Sequence, residues 1–165
     1  MSMERLWAPW RMEFIRNVED NNGCFLCAAA DAANDREGYV VRRGNACFCL
    51  LNLYPYNNGH LLIAPFRHEN ALEALTIEER NEIMAMTVEA KLTLDKAVGA
   101  HGYNVGVNLG RIAGAGLEAH FHQHVVPRWS GDTNFITTVG STKVIPEALE
   151  TMWNLLSKEW VCAES

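Results

Sequence analysis

Between Thr76 and Gly99 the apolar and small residues Ile83, Met86, Ala90, Leu94 and Ala97 recur at steps of three and four. That period predicts a helix with one buried face. Thr76 and Glu79 stand in the relation of a capping box at its start. Gly99 falls where a C-terminal cap belongs. A second helix is predicted over 145–162, with Pro146 near its first turn.

The remaining apolar runs are short and β-rich. "YVVRRG" and "ACFCLLN" read as two strands joined by a hairpin at Gly44-Asn45. "HLLIAPF" is almost wholly apolar, which suits a central strand covered on both faces. "YNVGVN" and "HFHQHVVPR" read as a fourth and a fifth strand, separated by the Gly/Ala-rich loop "LGRIAGAGLEA". Residues 1–20 read as an aromatic arm with Trp7, Trp10 and Phe14, interrupted by Pro9; "VEDNNGCFLCAAADAANDREG" reads as loop. No repeat or linker breaks the chain. The pattern predicts one α+β domain over residues 1–165, built on a mostly antiparallel sheet.

Composition narrows the class. A net charge of -6 with no Lys/Arg cluster argues against a nucleic-acid clamp. A local pocket of histidines and backbone N–H groups could still take a small phosphorylated ligand. No apolar run reaches the ~20 residues of a membrane span, and the N-terminus lacks the apolar core of a signal peptide. The expectation is a cytoplasmic protein that does not bind membrane, with its five cysteines reduced or on metal.

Three of the six histidines, His120, His122 and His124, alternate within "EAHFHQHVVPRW". On a strand, residues two apart share a face, so the three rings would line one side and Phe121, Gln123 and Val125 the other. On a helix His122 would point away from its neighbours. Val125, Val126 and Pro127 favour the strand. Such a row could be surface histidines, a metal site, or a nucleophile with its tuning neighbours. Cys24-x-x-Cys27 is equally open: redox, metal-binding, or two small buried hydrophobes. Cys47 and Cys49 share a strand face and read as packing residues.

"HFHQHVV" resembles the histidine triad motif, His-x-His-x-His followed by two apolar residues. Gln123 departs from the apolar residue usual at that x. "LWAPWRMEFI", "LNLYPYNNGHLLIAP", "GYNVGVNLGRIAGAG" and "HVVPRWSGDTNF" are similar to the branch containing diadenosine tetraphosphate phosphorylases and hydrolases, and the likeness runs from about Leu6 to Pro146. The resemblance implies an antiparallel five-stranded half-sheet with two main helices, joined to a second copy in a homodimer. It implies cleavage of a nucleotide or dinucleoside polyphosphate at the α-phosphate, with no cofactor required for catalysis.

The resemblance also assigns residues. His122 would be the nucleophile that forms a nucleotidyl-imidazole. His124 would donate to phosphate oxygens, and His60 and His120 would complete the charge network. Asn52 would hold the ribose hydroxyls, and Leu50 and Leu62 would cover the base. Asn108, Gly114 and Gly116 would meet phosphate, Arg128 being a further possible contact. Where relatives place Gln, Ser or Thr before the triad, this chain has Gly116, Leu117 and Glu118. A related branch of uridylyltransferases holds zinc with a Cys-x-x-Cys pair, a later histidine and the first histidine of the motif. Mapped here, these are Cys24, Cys27, His68 and His120, a donor set suited to a structural zinc. The rival readings are a purine nucleoside phosphoramidase, a nucleotide-binding protein with little turnover, and a metal-storage or metal-sensing protein.

Overall fold

A computed structural model describes residues 23–132 and 148–163. The arm over 1–20 and Pro146 lie outside the described residues. In chain order the elements are α1 (Phe25–Ala30), β1 (Val40–Arg43), β2 (Cys47–Leu51), β3 (Leu61–Pro65), α2 (Ile77–Val98), β4 (Gly102–Val107), β5 (Gln123–Arg128) and α3 (Leu149–Glu159), with 3-10 turns at Leu72–Ala74 and Arg111–Ala113.

The five strands form one antiparallel sheet in the order β1-β2-β3-β5-β4. The expected strand pattern holds, and β2 and β3 are buried along their full length. Alternation divides the sheet into two faces. On one, Cys47, Cys49, Leu51, Leu61, Ile63 and Val125 pack against Ile83, Met86, Ala90 and Leu94 of α2 and Met152 and Leu156 of α3. On the other, Phe48, Leu50, Leu62 and Ala64 pack against Leu26 and Ala29 of α1.

Helix α2 begins and ends where the pattern places it. The Thr76 side chain accepts from the Glu79 N–H at 3.1 Å, Glu79 accepts from the Thr76 N–H at 2.8 Å, and Gly99 adopts φ 57°. Glu82, on α2, accepts the backbone N–H groups of Asn45, Ala46 and Cys47 at 2.6–2.8 Å, which fastens the β1–β2 hairpin to the helix.

Two expectations are corrected. The stretch read as loop from Val18 to Gly38 contains α1, capped by Cys24, whose Sγ accepts from the Cys27 N–H at 3.5 Å. The strand expected over "HFHQHVVPR" starts only at Gln123. The Phe121 N–H is taken by the Glu69 carbonyl at 2.6 Å, and the His120 ring by the Pro65 carbonyl at 2.9 Å. Those two bonds draw the segment before Gln123 out of the ladder. Pro127, by contrast, lies inside β5. Its carbonyl accepts from the Asn57 amide at 3.0 Å, beyond the last β3 partner, so the side where its N–H is missing has no ladder bond to lose.

Candidate active site

His124 sits on β5 opposite Leu62 of β3 and Gly106 of β4, and Leu62 in turn faces Leu50 of β2. Leu50, Leu62 and His124 therefore share the α1 face of the sheet. His122, just before β5, brings its ring to 5.1 Å from His124, nearly edge-on at 65°. His60 ends the turn after β2 and lies 5.1 Å from His124. All these histidines are buried.

Their hydrogen bonds fix where the protons are. His122 Nδ1–H donates to the His120 carbonyl at 2.8 Å, which leaves Nε2 with a bare lone pair. Burial holds this imidazole below its ordinary pKa, partly opposed by the carbonyl contact, so the ring is neutral at neutral pH. His60 Nδ1 receives the Tyr56 N–H at 3.0 Å and the Asn52 amide at 3.2 Å. Its proton must then be on Nε2, which donates to His124 Nδ1 at 2.9 Å. That bond in turn assigns the His124 proton to Nε2. Burial first, then its two histidine neighbours, lower the His60 pKa to about 3, so the His60 ring stays uncharged. The result is a bare nitrogen on His122 beside an N–H donor on His124.

His120 takes a different part from the one its spacing suggests. Its ring turns away from His122 and His124, and only its carbonyl serves that pair. Nε2–H donates to the Pro65 carbonyl, leaving Nδ1 bare at 3.2 Å from Cys24 Sγ and 3.5 Å from Cys27 Sγ. Cys27 Sγ lies 3.2 Å from His68 Nδ1. The ligand atoms of Cys24, Cys27, His68 and His120 are all within 4.8 Å of one another. Burial, followed by the adjacent Cys24 thiol, pushes the Cys27 thiol up to about 11.

The other expected residues fall around this core. Asn52 donates to His60 and accepts the Tyr54 N–H at 3.0 Å. The Asn108 amide is 3.5 Å from His124 Nε2. Gly114 takes φ 92° in the loop before the triad, a conformation that favours glycine, and Gly116 is exposed in the same loop. Arg128 is committed elsewhere: its guanidinium pairs with Asp132 at 2.6 and 2.9 Å and with Asn104 at 2.8 Å. A cavity of about 360 Å³ opens on the α1 face, lined by Phe25, Ala28, Ala32, Tyr39, Leu50 and Leu53. Sequence reasoning missed Tyr56, whose ring lies against both His60 and His124. Its signal was an aromatic four residues before His60, inside a segment read only as a turn.

The triad chemistry and this sheet define a known class. A family model for the HIT domain matches residues 34–131, and the chain belongs to that family. It is 44% identical to the AP-4-A phosphorylase of Mycobacterium tuberculosis, over 96% of this chain and 85% of that protein. An adenosine 5'-monophosphoramidase of Schizosaccharomyces pombe is 28% identical over 66% of this chain and 78% of its own length. The structure of a zinc-bound histidine triad family protein from Mycobacterium smegmatis superposes with a TM-score of 0.66 at 25% identity, covering 83% of this chain and 92% of that one. The protein is a HIT-family enzyme.

Proposed function

We propose that the protein cleaves dinucleoside polyphosphates, with diadenosine tetraphosphate as the representative substrate, through a covalent nucleotidyl-His122. The observation that carries the reading is the bare Nε2 of His122, held by the Nδ1 bond to the His120 carbonyl. Its lone pair attacks the α-phosphorus, and the bond to the bridging oxygen of the polyphosphate breaks. His124 Nε2–H donates to the non-bridging oxygens as charge gathers on them. In the second step an oxygen of water or inorganic phosphate attacks the same phosphorus, the P–N bond breaks and His122 is restored.

The cavity beside Leu50 takes the base. Leu50 is two strands from His124 on the same face, about 10 Å at ordinary strand spacing. Asn52, whose amide bonds His60, would meet the ribose hydroxyls. The 44% identity to an AP-4-A phosphorylase supports phosphorolysis. Incubation of diadenosine tetraphosphate with and without inorganic phosphate tests this: ADP beside ATP marks phosphorolysis, and AMP beside ATP marks hydrolysis. Release of neither would count against the reading. A purine nucleoside phosphoramidase is the second reading, supported by the phosphoramidase relative. Faster turnover of an adenosine phosphoramidate than of the tetraphosphate would favour it.

The Cys24, Cys27, His68 and His120 cluster fits zinc. Two thiols and two imidazoles are the donor set of a closed tetrahedral site, and the Nδ1 of His120 is already bare for a metal. Bound there, zinc would lock α1 to the segment that carries His122 and supply no step of the reaction. Purified protein should contain about one zinc per chain, and Cys24→Ser with Cys27→Ser should contain none. The chain is further proposed to form a homodimer. β4 is an edge of the sheet, and Met84, Val88 and Leu92 leave an exposed apolar row at four-residue steps on α2. Sedimentation at micromolar concentration would show it.

A further inference from the structure

Tyr56 lies in the turn between β2 and β3, and its main chain and side chain do different things. The backbone N–H settles the tautomer of His60. The ring centroid lies 4.7 Å from that of His60, tilted by 40°, and 5.6 Å from that of His124, nearly parallel at 18°. These separations are those of attractive aromatic pairs. Tyr56 is 42% exposed, whereas His60 is 0% and His124 9% exposed, so the phenol ring forms the solvent-facing cover of a buried histidine pair.

A hydrogen bond at Nδ1 fixes one point of the His124 ring and not its plane. The Asn108 amide lies 3.5 Å from Nε2, and the His60 and His122 rings meet His124 tilted at 38° and edge-on at 65°. A ring stacked at 18° does constrain the plane. We propose that the Tyr56 side chain is a positioning residue that acts through His124, holding its ring so that Nε2–H meets the phosphate in the nucleotidyl transfer described above, on which the inference rests. Misplacement of a donor by a fraction of an ångström weakens transition-state binding more than substrate binding. Loss of the ring should therefore appear in kcat, not in KM.

Substitution separates the two functions of the residue, because every variant except proline keeps the N–H that sets His60. The test measures single-turnover formation of the nucleotidyl-enzyme from diadenosine tetraphosphate, and steady-state KM, in wild type, Tyr56→Phe, Tyr56→Leu, Tyr56→Ala and His124→Gln. It repeats them in the doubles that join Tyr56→Leu or Tyr56→Ala to His124→Gln. Rates are normalised to the burst amplitude, which counts active sites, so a misfolded fraction does not enter. Tyr56→Ala and Tyr56→Leu should slow transfer by about tenfold with KM within about threefold, and Tyr56→Phe should stay within about twofold of wild type. In the His124→Gln background the Tyr56 changes should cost less than about twofold, because residues acting as a unit are not additive. Equal losses in both backgrounds, a change confined to KM, or a Phe variant as slow as Ala would overturn the proposal. A wild-type enzyme that forms no intermediate would instead count against the nucleotidyl-transfer reading, and that control is read before any variant.

Discussion

The two faces of the sheet are made by alternate residues of the same strands, yet they have been put to opposite uses. Cys49 and Leu50 are neighbours in β2. Cys49 faces a closed apolar core made with a long helix and a second one beside it. Leu50 faces a six-residue helix that covers part of its side and leaves a cavity and four histidines beyond it. One face contributes most of the packing. The other holds groups that packing alone would exclude, each imidazole being held through at least one hydrogen-bonded ring nitrogen. A fold of this kind keeps stability and chemistry on separate sides of one set of strands.

The sharpest break between the faces comes from one substitution on each. His122→Ala removes the nucleophile and should lower turnover by about a thousandfold or more, while the unfolding midpoint stays close to wild type. Leu94→Ala, fully buried on the α2 face, should do the reverse. It costs about 2–5 kcal/mol, lowers the melting temperature by roughly 5–15 °C and leaves the chemistry of the folded fraction intact. Thermal unfolding and single-turnover rates on the same preparations would check both. A His122→Ala protein that turns over at the wild-type rate would remove the catalytic assignment.

Acid should act through the histidine face. The His60 pKa falls from 6.5 to about 3 on folding. Below pH 6.5 the unfolded chain takes up a proton that the folded chain refuses, so stability falls as pH drops through that window and levels off near 3. Between pH 6.5 and 4.5 this single group should cost about 2–3 kcal/mol. His120 and His122, also lowered mainly by burial, act in the same direction. His60→Gln keeps a donor for His124 but does not titrate, so its denaturation midpoint should depend less steeply on pH than that of wild type. Parallel slopes for the two proteins would show that His60 is not the acid-sensitive group.

The two faces were unequally legible in the sequence. The packed face announces itself through period: α2 and its caps fall where Thr76, Glu79 and Gly99 place them. The site was legible as a set of residues, since Cys24, Cys27, His68 and His120 do converge and His60, His122 and His124 do meet. Its geometry was not. Helix α1 has six residues, too few to show a helical period between flanks rich in Gly, Asn and Asp. The departure of His120 from the strand depends on the Pro65 and Glu69 carbonyls, more than fifty residues away in sequence. Tyr56 touches the histidines only because its turn folds back over them. Local pattern carries local structure, while long-range hydrogen bonds to loop carbonyls leave no mark on it.

The smallest expected effect concerns the residue that departs from the triad motif. Gln123 pairs with Ile63 and Val107 in the sheet and points at α2, where an apolar residue would be usual. Its amide donates to Thr87 Oγ1 at 2.6 Å, and the Thr87 hydroxyl donates to the Ile83 carbonyl at 2.7 Å. The polar residue on the packed face thus has a polar partner on the helix that covers it. Thr87→Val strands the Gln123 amide and should cost about 1 kcal/mol, a figure held down because Gln123 is only half-buried. Gln123→Leu leaves Thr87 bonded to Ile83 and should cost less. Changing both replaces a matched polar pair by a matched apolar one, so the double variant should be more stable than the sum of the singles by roughly 1 kcal/mol. Urea midpoints of the four proteins measure the coupling. Additive losses would mean that the two side chains sit near each other without depending on each other, and that the packed face accepts Gln123 for some other reason.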